Sequence, residues 1–142
     1  MTYITSGYWL AIADNHKGYK AHFESIKSCM KTGLDRLIVV INNENQQVLK
    51  YGKVIKNIAE LKKYITENIV PDAVISIDTD RTVCRTLEML SKQNDSVTFI
   101  VDADTPDNFP EKETCNKNNI QILYLRNLKI DSSSKILNIT KN

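Results

Sequence analysis

Short apolar runs alternate with stretches of helical spacing along the chain, and this alternation constrains the fold more than any other feature. Runs rich in β-branched residues, each of the length of a buried strand, occur at 3–5, 36–41, 73–77, 97–101 and 120–125. Between them, apolar residues recur at intervals of three and four, as in Phe23, Ile26 and Met30. Such alternation is typical of βαβ units around a mainly parallel sheet. The sequence therefore predicts an α/β fold, a Rossmann-like three-layer domain with a mainly parallel five-stranded sheet.

The size and composition of the chain fit one ordinary globular domain. A chain of 142 residues buries roughly two-thirds of the surface that its unfolded form exposes, so it needs no disulfide or metal for stability. The formal charge of +2 is too small to indicate nucleic-acid or membrane partners. Since neither a linker nor an internal repeat interrupts the pattern, we predict a single domain over residues 1–142.

The cysteines and the first residues favour a cytoplasmic protein of cellular or viral origin. The three cysteines are odd in number, lie far apart and lack the spacing of metal ligands, so we interpret them as reduced thiols. The sequence has no apolar run of transmembrane length, and its N-terminus lacks a signal-peptide pattern.

Polar or glycine-containing segments directly follow four of the predicted strands. These segments are 7–9, 42–43, 78–80 and 102–104. In an open parallel sheet, ligands bind outside the carboxyl ends of the strands, at the point where the strand order reverses. We therefore expect these segments to lie along one rim of the sheet and to carry the functional site.

The two ends of the sequence both offer groups that favour phosphate. The first strand breaks at Gly7 and leads into a predicted helix near His16, where backbone N–H groups and an imidazole come together. Gly18 allows close approach of the backbone to a phosphate. Near the other end, Lys129 and the hydroxyls of 132–134 are suited to the same phosphates. The pattern predicts a nucleotide site held from both sides.

Each of these residues also has a purely structural interpretation. His16 fits an exposed loop histidine, and 132–134 fit a helix N-cap. Tyr8 and Trp9 fit core aromatics beneath the first helix. Asp78, Asp80 and Thr82 fit a turn that leads from a strand into a helix cap.

Several motifs, taken in order, resemble one known family. They are Ser6-Gly7-Tyr8-Trp9, His16-Lys17-Gly18-Tyr19, Leu37 to Asn43, Gln47 to Lys53, Ser76 to Val83, Pro110-Glu111 with Cys115, and Lys129 to Ser134. Their order and spacing resemble the cytidylyltransferase-like nucleotidyltransferases, which carry a His-x-Gly-His motif, and among them the glycerol-phosphate and heptose-phosphate branch. The resemblance runs from Ser6 to about Leu137.

This resemblance implies transfer of CMP or AMP from CTP or ATP to a sugar- or polyol-phosphate, with release of pyrophosphate. It also implies a homodimer and a Mg²⁺ ion held largely by the phosphates, with no assigned protein ligand. The implied catalytic residues are His16, Tyr19, Lys50 and Lys129. The implied nucleotide-binding residues are Gly7, Tyr8, Trp9, Gly18, Asp104, Ser132, Ser133 and Ser134, and the implied acceptor-binding residues are Lys53, Asp78 and Thr82.

Two departures from the family pattern keep a second class of function open. Tyr19 stands at the second histidine of the motif, and a phenol donates a hydrogen bond but carries no positive charge. His22, three residues further on, is a candidate substitute. In the Asn-Gly-Gly-Asp stretch of the heptose type, only Asp104 is retained. A protein that binds a nucleotide or phosphosugar without turnover, as a sensor, sequestering protein or interaction module, is the alternative. A dinucleotide-binding dehydrogenase is disfavoured, because no Gly-x-Gly-x-x-Gly follows the first strand.

Overall fold

The computed structural model describes residues 1–14, 16–30 and 33–125. The strands are β1 (Thr2–Gly7), β2 (Arg36–Ile41), β3 (Ala73–Ile75), β4 (Val97–Asp102) and β5 (Gln121–Leu125). The helices of these ranges are α1 (His16–Lys27), α2 (Glu44–Tyr51), α3 (Ile58–Asn68), α4 (Cys84–Gln93) and α5 (Glu111–Lys117).

The strands form one five-stranded sheet in the order β3-β2-β1-β4-β5, and every pairing in it is parallel. Along β1 and β2, Thr2 lies opposite Arg36 and Gly7 lies opposite Ile41. After β3 at one edge, the chain crosses to the other side of β1 to form β4. The protein therefore has the predicted α/β Rossmann-like fold, and the strand order reverses between β1 and β4.

Helices cover both faces of the sheet, because successive side chains of a strand point to opposite sides. Leu37, Val39 and Ile41 of β2 belong to one apolar cluster, whereas Ile38 and Val40 belong to the other. The first cluster includes residues of α1 and α3, such as Phe23, Ile26, Leu61 and Ile65. The second includes residues of α4 and α5, such as Leu87, Leu90 and Cys115. The predicted three-layer arrangement is thus confirmed.

Some element boundaries differ from those that the sequence predicts. Strand β3 ends at Ile75 rather than at position 77, because the N–H of Ile77 donates to the hydroxyl of Thr86 in α4 instead of to β2. Helix α1 ends at Lys27, and the next residues form tight turns through the bond from the N–H of Met30 to the carbonyl of Lys27. Gly33 lies in a later turn, outside this helix.

Within the described ranges, the structure contains no helix with the length and apolar character needed to cross a lipid bilayer.

Candidate functional site at the carboxyl ends of the strands

The segments that follow the strands lie along one rim, because all strands run in the same direction. The N–H of Asn42 donates to the carbonyl of Gly7 at 2.9 Å, which joins the ends of β1 and β2. The N–H of Ser76 donates to the carbonyl of Ile41 at 2.8 Å, which joins the ends of β2 and β3. The rim predicted from the sequence is therefore continuous from β3 to β1.

A crevice of about 300 Å³ opens at the point where the strand order reverses. Its wall is formed by β1, α1, β4 and the start of α5, with Thr5, Ser6, His22, Asp102, Phe109 and Glu111 among the lining residues. Ligands of open α/β sheets bind at this position. The crevice is accordingly the candidate site for a small ligand.

Two carboxyl groups, those of Asp102 and Glu111, line the crevice. Asp102 accepts a hydrogen bond from the N–H of Asp104 at 2.8 Å, so its carboxylate orders the loop after β4. Glu111 accepts from the N–H of Val83 at 3.3 Å. Acidic walls disfavour a bare triphosphate but suit a phosphate group that arrives with a divalent cation. No cluster of three or more metal-ligating side chains occurs in residues 1–14, 16–30 and 33–125.

The N-terminus of α4 is occupied by a carboxylate of the chain itself. Asp78 is only 2% exposed and accepts hydrogen bonds from the N–H groups of Arg85 (2.8 Å) and Thr86 (3.0 Å). The hydroxyls of Ser76 and Thr86 also donate to it. This corrects the assignment of Asp78 to acceptor binding, because its oxygens are used in capping the helix. The turn-and-cap interpretation of this segment is the one that the structure supports.

The residues between Asp78 and α4 are held by the same kind of contact. The hydroxyl of Thr82 donates to the Asp80 carboxylate at 2.7 Å and accepts from the N–H of Cys84 at 3.3 Å. The bonds from Thr82 lower the pKa of the Asp80 carboxyl. Thr82 therefore stabilises the turn before α4.

The N-termini of α2 and α5 also offer little to an anion. Asn43 caps α2 by accepting from the N–H of Gln46, and the side chain of Gln46 accepts from the N–H of Asn43 in return. Helix α5 carries Glu111 and Glu113 in its first turn. The first turn of α1 has no acidic residue. Among the described helices that begin at this rim, α1 is thus the best suited to phosphate.

Two aromatic residues predicted for the nucleotide site lie in the core instead. Trp9 is 5% exposed, and its indole N–H donates to the carbonyl of Val40 at 2.9 Å. Tyr19 is 2% exposed, with its ring centroid 5.8 Å from that of Trp9. Both side chains fill space beneath α1, which corrects their assignment to nucleotide contacts and catalysis. The apolar residues 10–12 are buried with them, so this loop is anchored in the core.

Gly7 is required by the position of the indole ring. A Cβ atom at Gly7 would lie 3.1 Å from Cε2 of Trp9, closer than ordinary van der Waals contact allows. Trp9 itself has a φ of 55°, in the left-handed region that bulky residues rarely adopt. The glycine at the end of β1 therefore serves the packing of Trp9.

His22 reaches the crevice from the second turn of α1. Its ring packs edge-on against Trp9 and Phe23, with centroid distances of 5.6 and 5.3 Å. His16 and Gly18 belong to the first turn of α1, and six residues of helix separate His16 from His22 by about 9 Å. The first turn of α1 therefore lies within about 9 Å, along the helix axis, of the residue of α1 that lines the crevice.

Tyr8 and Lys50 come together on the other side of β1. The ammonium of Lys50 lies 4.4 Å from the centre of the Tyr8 ring and 5.4 Å from that of Tyr51. The hydroxyl of Tyr8 donates to the carbonyl of Gln46 at 3.4 Å. Burial raises the pKa of Tyr8 above its ordinary value, and the positive charge of Arg81 acts in the opposite direction. Tyr8 and Lys50 were predicted to be site residues and Asn42 to be part of the rim, whereas Tyr51 and Arg81 were given no role of their own.

The remaining predicted residues divide into two groups. Lys53 and Asp104 are exposed, Lys53 just beyond α2 and Asp104 in the loop after β4. Lys129, Ser132, Ser133 and Ser134 lie outside the residues that the structure describes. The predicted grip on one triphosphate by His16 and the serines thus stays a prediction.

Neither a scan against protein-family models nor a search of curated proteins found a match to this chain.

Proposed function

We propose that the protein binds a nucleoside triphosphate in the crevice between β1 and β4 and transfers CMP or AMP to a small phosphorylated acceptor, releasing pyrophosphate. The observation that supports this most is the crevice of about 300 Å³ at the reversal of strand order, walled in part by α1. The motif resemblance assigns nucleotide chemistry to the same rim. His16 and Gly18 would meet the phosphates at the start of α1.

Such a reaction depends on alignment and on neutralisation of charge rather than on a covalent intermediate. Mg²⁺ that arrives with the triphosphate would neutralise charge beside the acidic wall of the crevice. Asp102 and Glu111 fit this ion, since Mg²⁺ is usually bound by one or two carboxylates together with phosphates and water. A cytoplasmic location and a homodimer complete the proposal.

Binding without turnover is the second candidate function, and the burial of Tyr19 favours it. The position of the second motif histidine carries a phenol that packs against Trp9 and is 2% exposed. An imidazolium at the α-phosphate is therefore missing from that position. In this case the protein acts as a sensor, a sequestering protein or an interaction module.

The test combines calorimetric binding with an assay of pyrophosphate release. CTP and ATP are each offered with Mg²⁺ and a panel of sugar and polyol phosphates. Thr105→Trp, which fills the crevice, should abolish nucleotide binding, whereas Asp107→Trp on the same exposed connection should not. Binding with release of pyrophosphate supports the transferase, and binding without it supports the second candidate. Failure of both nucleotides to bind contradicts the transferase, and failure of the sugar and polyol phosphates to bind as well contradicts the second candidate.

A further inference from the structure

We propose that the base of the nucleotide binds inside the crevice between β1 and β4 and stacks on the ring of Phe109, while the phosphates lie outside, at the start of α1. The inference rests on the proposed function in taking a nucleotide as the ligand, and it adds which part of the nucleotide the crevice holds. Phe109 lies in the connection between β4 and α5, and it is one of the residues that line the crevice. It thereby selects a nucleotide over a triphosphate that carries no base.

The size of the crevice matches one part of a nucleotide better than the whole molecule. Its volume of about 300 Å³ lies at the lower end of the range of about 300–1,000 Å³ that is typical of small-molecule sites. The proposed function places the phosphates at the first turn of α1, about 9 Å along the helix axis from His22 in the wall of the crevice. The interior is therefore available for the other end of the ligand.

The charges on the walls favour the base over a phosphate for this interior. Asp102 and Glu111 carry carboxyl groups, and no lysine or arginine occurs among the described residues that line the crevice. The carboxyls repel a phosphate that is not neutralised by Mg²⁺. The bases of CTP and ATP carry no charge at neutral pH, so the carboxyls impose no such penalty on them.

The remaining surface of the crevice is largely apolar and aromatic. Strand β4 contributes Phe99, Ile100 and Val101 to the lining. Phe109 adds a second aromatic ring, and Thr105 adds a hydroxyl. Apolar and aromatic walls with a few polar groups are the usual lining of a site for a small organic ligand. Every base has a π-face, so stacking on an aromatic side chain suits cytosine and adenine alike.

Phe109 is the more accessible of the two phenylalanines in this lining. Phe99 is 4% exposed, whereas Phe109 is half-buried and packs only at the edge of the apolar cluster that includes residues of α4 and α5. The ring of Phe109 stands edge-on to that of Tyr124, with the centroids 6.5 Å apart and an angle of 86° between the planes. Tyr124 does not line the crevice, so this contact supports the ring without occupying the site.

The experiment measures by calorimetry how the full chain binds CTP and ATP with Mg²⁺, and tripolyphosphate with Mg²⁺, which has the phosphates without the base. Phe109→Ala should weaken nucleotide binding about 10- to 100-fold, the size typical of base stacking on an aromatic residue. Phe109→Leu keeps an apolar side chain without a π-face and should weaken it at least about fivefold. Phe109→Tyr keeps the ring and should stay within about twofold. The affinity for tripolyphosphate should change by less than about twofold in all three variants.

Tyr64→Leu is the matched control. Like Phe109, Tyr64 is a partly buried aromatic residue packed against one of the two apolar clusters, but it belongs to α3 and to the other cluster. Its replacement should change nucleotide affinity by less than about twofold. Urea unfolding of both leucine variants separates a loss of stability from a loss of stacking. Nuclear Overhauser effects between the base protons and the ring protons of Phe109 should be present in the wild type.

The failure of this inference and that of the proposed function give different results. If nucleotides bind but Phe109→Leu and Tyr64→Leu have equal effects, or if Phe109→Leu weakens tripolyphosphate as much as the nucleotides, the base site is overturned and the nucleotide function stands. Cytidine and adenosine provide the other arm. If either nucleoside binds in a Phe109-dependent manner and neither nucleotide binds, the base site is supported and the transferase is contradicted. If no nucleoside and no nucleotide binds, both are overturned.

Discussion

Removal of the Asp78 carboxylate should destabilise the protein strongly, because the group caps α4 from a buried position. Two backbone N–H groups and two hydroxyls donate to it. A lost N-cap costs about 0.5–2 kcal/mol, and each buried donor left without a partner costs about 1–3 kcal/mol. Arg85 is exposed, and the hydroxyls of Ser76 and Thr86, 3.2 Å apart, can bond to each other, so the N–H of Thr86 is the main donor left without a partner. A cap loss of about 1 kcal/mol and about 2 kcal/mol for this donor give about 3 kcal/mol for Asp78→Ala. Asp78→Asn keeps one acceptor oxygen and should cost about 2 kcal/mol.

Urea unfolding, followed through the fluorescence of the single tryptophan, measures this loss. With a slope of about 2 kcal/mol per molar urea, the midpoint of Asp78→Ala should fall by about 1.5 M. Asp80→Ala removes an exposed carboxylate two residues away and should shift the free energy of unfolding by about 0.5 kcal/mol. If Asp78→Ala has the same urea midpoint as the wild type and binds phosphate compounds more weakly, Asp78 does not act as a cap, and a role in acceptor binding is supported instead.

Three further predictions concern the packing beneath α1 and a buried thiol. Gly7→Ala places a methyl group 3.1 Å from Cε2 of Trp9 and should lower the free energy of unfolding in urea by about 1–3 kcal/mol. The tryptophan emission should shift as well, and an unshifted spectrum would contradict the close approach. Trp9→Phe removes the bond to the carbonyl of Val40 and should cost about 1–2 kcal/mol, while nucleotide affinity measured by calorimetry stays within about twofold. Burial raises the pKa of the Cys115 thiol from 9.0 to about 12, so the unfolded chain loses this proton first as the pH rises. The stability that Cys115 contributes should therefore fall by about 1.4 kcal/mol between pH 8 and pH 10, a loss that urea midpoints should reveal in the wild type and not in Cys115→Ala.

The fold was largely predictable, because its strands are runs of β-branched residues. The predicted run at 36–41 coincides with β2. The short helix α2 could not be predicted from apolar residues at helical spacing, because its buried residues are Gln46, Gln47 and Tyr51. Amide side chains that satisfy backbone groups of distant loops carry no signal in a hydropathy pattern.

The position of the candidate site was predictable, whereas the roles of its side chains were less so. In a parallel sheet the carboxyl ends of all strands lie at the same edge, so the rim could be predicted from the strand assignments. Trp9 enters the core from a backbone conformation with a φ of 55°, which bulky residues rarely adopt and which a sequence pattern does not predict. The ammonium of Lys50 lies 4.4 Å from the centre of the Tyr8 ring, and a contact between such distant parts of the chain leaves no signal in a local sequence pattern.

Side-chain amides of α2 and its N-cap bind the segment before α4, so this side of the rim should be more rigid than the side that follows β4. The side chain of Gln46 donates to the carbonyls of Asp80 and Thr82, and that of Asn43 donates to the carbonyls of Ser76 and Asp78. The start of α2 and the segment 76–82 should therefore move together. On the other side of the crevice, the N–H groups of Thr105 and Phe109 donate to carbonyls only three residues earlier in the chain, those of Asp102 and Pro106. Such short-range turns open more readily than bonds between separate elements, so any widening that admits a ligand between β1 and β4 should occur there. The amide hydrogens of Thr105 and Phe109 should therefore exchange sooner than those of Gln46 and Thr86.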